Sequence, residues 1–243
     1  MSPSDTVDRL AEQIAERGEA VQARIAAHAD REVRVVAVTK GHPSAVAQAA
    51  VLAGYPDLGE SYAQELRAKL DDFSRSDDSS RSDDSSRSDS GDHMPRWHFV
   101  GRLQSNKVRQ IAAGVALWHS IDRASVLDEV ARRAPGASVL IQVDLAGIEG
   151  RGGCSFDALE DLVVRAAEAG LAVKGLMGVG LPGEPEASRP AFRQLRGTAD
   201  SLGLLDVSMG MSGDLEVAVS EGSTMVRVGN ALVGERPQRG QPR

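Results

Sequence analysis

Val33-Arg34-Val35-Val36-Ala37-Val38-Thr39-Lys40 is the stretch on which the reading of this chain turns. It is nearly all apolar and rich in β-branched residues, the pattern of a strand buried on both faces of a parallel sheet. Gly41-His42-Pro43 breaks the run at once, and an alanine-rich helical pattern follows. Lys40 closes the strand with its stem in low dielectric. Desolvation there disfavours the ammonium form and frees the amine as a nucleophile. That is the chemistry a Schiff base with an aldehyde requires. Most lone lysines simply snorkel to the surface. This chain, however, keeps only four lysines among its 28 basic residues, so one held at a strand end is a candidate nucleophile.

Outward from that stretch the chain alternates. Short apolar runs are predicted as strands at Val33–Thr39, Asp57–Gly59, Trp97–Val100, Leu117–Ser120, Val139–Asp144, Val173–Met177, Asp206–Met209 and Met225–Val228. Helical patterns follow at Pro43–Ala53, Ser61–Phe73, Gln104–Ala113, Arg123–Arg133, Phe156–Ala169, Glu186–Leu202 and Asp214–Ser220. An amphipathic helix built on Val7, Leu10, Ile14, Val21 and Ile25 precedes them. Eight strand–helix alternations within 243 residues predict an α/β protein, a single-domain (β/α)8 TIM barrel over residues 1–235. The alternative is an open doubly wound sheet, but no Gly-x-Gly-x-x-Gly follows the first strand.

Composition narrows the function. The net charge of −7 carries no basic stripe, which argues against a nucleic-acid partner. Cys154 is the single cysteine, so neither a disulfide framework nor a cysteine zinc site is expected. No apolar run is long enough to span a membrane, and the amino terminus lacks a signal core. A soluble, cytoplasmic monomer is the expectation.

Residues Ser74 to Gly91 stand apart. They repeat SRSDDS, SRSDDS, SRSDSG and offer nothing to bury, so disorder or loose order is expected, as a repeat expansion in a tolerant surface loop. The tail after Glu235 is expected to fray.

In a barrel the active face lies where the strands end. Those ends collect Lys40, Glu60 and Ser61, His98 through Lys107, His119 and Ser120, Asp144, Ser208 through Asp214, and Arg227 with Gly229 and Asn230. Each is weak alone, and their joint position at one rim is the signal. Barrels commonly hold phosphate between the loops after strands seven and eight. Here Gly210, Ser212 and Gly213 precede a helix, and Gly229-Asn230 follows the last strand. Glycines let the backbone approach an anion, and Ser212 can donate its hydroxyl.

VAVTK, GRLQSNKVR after WHFV, VLIQVDLAG with GRGG, SMGMSGDLEVAV and GSTMVRVGNAL together closely resemble the YggS/PROSC family of pyridoxal phosphate homeostasis proteins. The resemblance runs from Val33 to Gly234 apart from the serine-rich insert. It implies a fold type III barrel like the amino-terminal domain of bacterial alanine racemase, with pyridoxal 5′-phosphate (PLP) as cofactor. It further implies that Lys40 forms the internal aldimine and that Arg227 faces the pyridine nitrogen. Ser212, Gly229 and Asn230 would hold the phosphate, with Ser208 and Met209 nearby. The chain departs from the family in Ser61, where the motif usually reads Gly-Glu-Asn, and in Asn230, where the phosphate loop usually has threonine.

The implied role is control of free PLP without turnover, with amino acids and apo forms of PLP enzymes as partners. Arginine holds its proton, which leaves the ring nitrogen unprotonated and weakens the ring as an electron sink. Racemisation also needs a second acid/base. No further domain of the kind that helps supply that group in alanine racemase is expected after the eighth strand. Its two tyrosines, Tyr55 and Tyr62, are expected before the second strand and in the following helix, away from the rim. A low-activity amino acid racemase is the alternative. A barrel that binds another phosphorylated metabolite, with Lys40 as a lyase base, is the third reading.

Overall fold

The computed structural model describes residues 3–80, 95–148 and 150–236. Eight parallel strands close in sequence order into a barrel, so the barrel expectation holds and the open sheet is excluded. The strands are β1 (Arg34–Val38), β2 (Asp57–Glu60), β3 (Arg96–Phe99), β4 (Val115–Ile121), β5 (Ser138–Val143), β6 (Ala172–Gly178), β7 (Asp206–Ser208) and β8 (Met225–Val228). Closure is made by β1 and β8, with Arg34 to Ala37 in register with Met225 to Val228. The helices are α1 (Pro3–Ala26), α2 (Ser44–Leu52), α3 (Ala63–Ser80), α4 (Ser105–Ile111), α5 (Ala124–Arg133), α6 (Phe156–Glu168), α7 (Arg189–Ser201), α8 (Leu215–Ser220) and α9 (Asn230–Val233).

Strand alternation separates two cores. Val36, Leu117, Leu140, Met177 and Met225 form a small cluster inside the barrel. Their chain neighbours Val35, Ala37, Trp118, Val139, Ile141, Leu176 and Val226 belong to the larger core under the helices. The apolar face of α1 joins that outer layer through Ile14, Val21 and Ile25.

Two boundaries differ from expectation, each for a local reason. The pattern Glu186–Leu202 divides into a 3-10 turn at Pro185–Ser188 and then α7. Pro190 stands in the first turn of α7, where a missing N–H costs nothing, and so sets a new start. Helix α3 does not stop at Phe73 but continues to Ser80, so the first residues of the serine-rich segment are helical rather than disordered. No glycine or proline interrupts the helix there, and Arg75 pairs with Asp72 one turn back. The rest of the segment, residues 81–91, lies outside the described residues, as do 237–243 of the tail.

Phe73, the last apolar residue of α3, packs edge-on against Trp97 at 5.4 Å between ring centres. Ser74 and Arg75 beyond it are exposed. Deleting Ser74–Gly91 is therefore expected to shift the melting temperature by no more than about 2–4 °C, because a changed connection length costs little. A larger drop in a thermal melt would show that the segment packs on the barrel.

Candidate cofactor site at the carboxyl end of the barrel

A cavity of about 870 Å³ opens at the ends of β1, β2, β3, β6, β7 and β8, a size suited to a small-molecule ligand. Lys40, Ser212, Arg227, Gly229 and Asn230 line it. Of the sequence-predicted cofactor residues, only Ser208 and Met209 do not. Both are fully buried in the wall behind. The Met209 amide donates to the Met225 carbonyl (3.1 Å) and ties β7 to β8.

Lys40 lies just past β1, one residue after Thr39, and is half-buried. Burial lowers its pKa first, and the Arg236 and Arg227 cations lower it further, while the Glu60 carboxylate opposes them. The amine is thereby moved toward its nucleophilic form. The backbone around it is held from below. Lys69 of α3 is buried and donates from Nζ to the Thr39 carbonyl (2.8 Å) and to Glu60 Oε1. The Thr39 hydroxyl donates to the same carboxylate oxygen (2.6 Å). Burial raises the Glu60 pKa, and Lys69 pulls it back down. The sequence pattern marks Glu60 only as a rim residue and gives no sign of this buried Thr39–Glu60–Lys69 cluster. Lys69 carries no sequence signal beyond its place in an otherwise amphipathic helix.

Arg227 on β8 is 5% exposed, and burial pushes its pKa down to about 10, so it stays charged at neutral pH. Its Nη1 donates to the Ser208 carbonyl (2.8 Å) and hydroxyl (2.7 Å), and its Nη2 donates to the Gly178 carbonyl (2.9 Å). Nε–H and the second Nη2 hydrogen keep no protein partner among the described residues. Arg227 also lines the cavity, so these donors are available to a ligand there.

The same cavity is lined by a backbone cradle. Gly210 turns with φ +93°, and a Cβ there would sit 2.6 Å from that of Ala218, so α8 packs directly on the loop. Ser212 and Gly213 follow it at the cavity wall. Across from them Gly229 caps α9, and the first amides of any helix lack carbonyl partners within it.

The histidines fall elsewhere than expected. His98 and His119 do not stand at the rim but inside the barrel, each almost fully buried, joined at 2.8 Å. Both occupy inward positions of the pleat within β3 and β4, which carries them below the strand ends. Tyr62 is the opposite correction. Strand β2 runs one residue further than expected and α3 begins at Ala63, so Tyr62 lies in the loop between them and lines the cavity. Arg236, read as the start of a frayed tail, lines it as well.

The family model of the alanine racemase N-terminal domain matches residues 12–237. The chain belongs to that family. A pyridoxal phosphate homeostasis protein of Pseudomonas aeruginosa is 34% identical over 241 residues, covering 96% of each chain. The structure of PipY of Synechococcus elongatus with PLP bound superposes with a TM-score of 0.75 at 28% identity, covering 91% of this chain and all of that one. Alanine racemase of Corynebacterium glutamicum shares the fold, with a TM-score of 0.66 at 18% identity over 96% of this chain and 63% of its own.

Proposed function

We propose that this chain is a PLP-binding protein of intracellular PLP homeostasis, holding the cofactor at the rim cavity without enzymatic turnover. One observation carries the reading. The depressed amine of Lys40 and the ligand-free donors of Arg227 face one cavity, with the glycine cradle of Ser212, Gly213 and Gly229 beside them.

The residues present fit PLP by donor chemistry. An unprotonated pyridine nitrogen only accepts, and an arginine only donates. A phosphate needs amides and hydroxyls, which Ser212, Gly229 and Asn230 supply. Nearby cations Lys40 and Arg236 add favourable potential for an anion. Bound there, PLP supplies an aldehyde carbon to amines and, in enzymes that protonate its ring, an electron sink. Lys40 is the amine that joins that aldehyde. Arg227 keeps its proton and so leaves the ring nitrogen bare. Ser208 and Met209 shape the wall rather than touch the cofactor. Amino acids that displace Lys40, and apo PLP enzymes that accept the cofactor, are the partners of such a protein. Among the described residues no helix is long and apolar enough to cross a membrane.

A low-activity racemase is the second reading, and Tyr62 in the cavity wall favours it. Its side chain belongs to a residue 54% exposed, whereas a proton-transfer group works best when desolvated and fixed. The expected result is that the purified protein, loaded with PLP and given L-amino acids in deuterated water, shows no α-proton exchange at enzyme-like rates by NMR. Fast exchange, lost in Tyr62→Phe, would replace the carrier reading by the racemase.

A further inference from the structure

An unbroken line of buried polar groups crosses the barrel interior beneath the cavity. It begins at Arg227 on β8, whose Nη1 donates to Ser208 Oγ on β7 (2.7 Å). Ser208 Oγ meets His119 Nδ1 on β4 (3.0 Å), and His119 Nε2 meets His98 Nδ1 on β3 (2.8 Å). His98 Nε2 meets Asp57 Oδ1, at the opposite end of the barrel on β2 (2.9 Å). There Arg96 clamps the carboxylate with Nε to Oδ1 (2.8 Å) and Nη2 to Oδ2 (2.6 Å). Every member from Arg227 to Asp57 is buried.

The chemistry of the two ends fixes the outer bonds, and one proton per ring then fixes the inner ones. Arg227 can only donate, so the Ser208 oxygen accepts from it. The Asp57 carboxylate can only accept, so His98 Nε2 carries a proton. With one proton per ring, His98 Nδ1 must then accept, His119 Nε2 must donate, and His119 Nδ1 must accept the Ser208 hydroxyl proton. All contacts are satisfied with two neutral rings. The reverse arrangement requires an extra proton on His98. Full burial, with the neighbouring Arg227 and Arg34 cations, holds His119 neutral, with a pKa well below the ordinary imidazole value.

We propose that Ser208 and His119 are positioning residues for Arg227, members of a one-directional chain that pins the guanidinium by anchoring it through two Nε2–H imidazoles to Asp57 at the far mouth of the barrel. The proposal rests on the reading of Arg227 as the partner of the cofactor ring nitrogen. A guanidinium fixed in this way presents its remaining donors to the cavity at one angle. The sequence placed His98, His119 and Ser208 near the site, but the chain assigns them to the layer behind it.

The test has two parts that fail separately. In the full-length protein without PLP, nitrogen NMR of labelled histidine should show His98 and His119 both protonated at Nε2 and bare at Nδ1, with coupling across the His119 Nε2–His98 Nδ1 bond. An imidazolium, or an Nδ1–H form of either ring, would overturn the chain. With nitrogen-labelled PLP bound, Ser208→Ala and His119→Leu should each shift the cofactor ring-nitrogen signal. His119→Gln, whose amide can accept from Ser208 and donate to His98, should restore it. A signal that moves in Arg227→Ala but stays fixed in Ser208→Ala overturns the positioning role. A signal that stays fixed in Arg227→Ala overturns instead the placement of the ring nitrogen, while the histidine forms in the PLP-free protein still decide the chain. Ser208→Ala is the variant to rely on if His119→Leu does not fold, since it removes one buried hydroxyl and little volume.

Discussion

Lys40→Ala is expected to abolish the near-visible absorption of the PLP-loaded protein and its retention of cofactor after borohydride, while the fold survives. Four lysines could in principle form the link. Lys174 lies on β6, exposed near its amino-terminal end, away from the rim. Lys69 is buried and spends its amine on Glu60 and Thr39. Lys40 and Lys107 both line the cavity, but Lys40 lies just past the end of a barrel strand, with burial and two arginines pressing its amine toward the neutral form. Removing it also removes a cation repelled by Arg227 and Arg236, so folding should lose little. For a half-exposed side chain the change is about 0.5 kcal/mol or less. Absorbance, borohydride trapping with intact-mass measurement, and a thermal melt check all three statements. A band that persists in Lys40→Ala would move the attachment to Lys107, and a chain that no longer melts cooperatively would give Lys40 a structural role.

Lys69→Met is expected to be the most destabilising single change near the site. The Lys69 and Glu60 side chains are 4% and 0% exposed, and the second carboxylate oxygen of Glu60 already has no partner within the described residues. Taking away the ammonium leaves a buried carboxylate with one threonine hydroxyl, and breaking a buried pair in this way costs about 3–5 kcal/mol. For a chain of this size that is a fall on the order of 10 °C in melting temperature.

The pH dependence follows from the sign of the Glu60 shift. Its folded-state pKa is raised above the ordinary 4.5, and losing Lys69 raises it further. The folded state then binds more protons than the unfolded state between those values, so stability falls as pH rises through that window. Lys69→Met should therefore be less destabilised at pH 5 than at pH 8. The double variant Lys69→Met, Glu60→Gln removes the stranded charge and should recover most of the loss. Melting curves at the two pH values decide it. An equal penalty at both, with no rescue, would show that the cost is packing rather than charge. Because Lys69 also holds the carbonyl just before Lys40, the single variant should weaken cofactor retention even where it remains folded.

The strands and their order could be read from the sequence because burial on both faces leaves a continuous apolar run, as in Val33–Thr39, and because the Gly/Pro breaks fall between period-3.6 patterns. The rim residues at or just past a strand end, Lys40, Arg227 and Gly229, could be read for the same reason, since such a residue is placed by the strand. Side chains whose direction depends on the pleat or on a loop could not. His98 and His119 belong to the right strands, but pleat and register turned them into the barrel, where they bond each other rather than a ligand. Tyr62 joined the cavity because one more residue of β2 and a later start of α3 put it in a loop. Lys69 reached Glu60 only because α3 packs over the ends of β1 and β2, a meeting between residues that local pattern treats separately. The sequence alone determined the barrel and which residues begin its carboxyl-end loops, because strand burial and punctuation are local. Which polar groups share a buried hydrogen bond, and hence which face the ligand and which support it from behind, was decided only when closure brought β2, β3, β4, β7 and β8 around one interior.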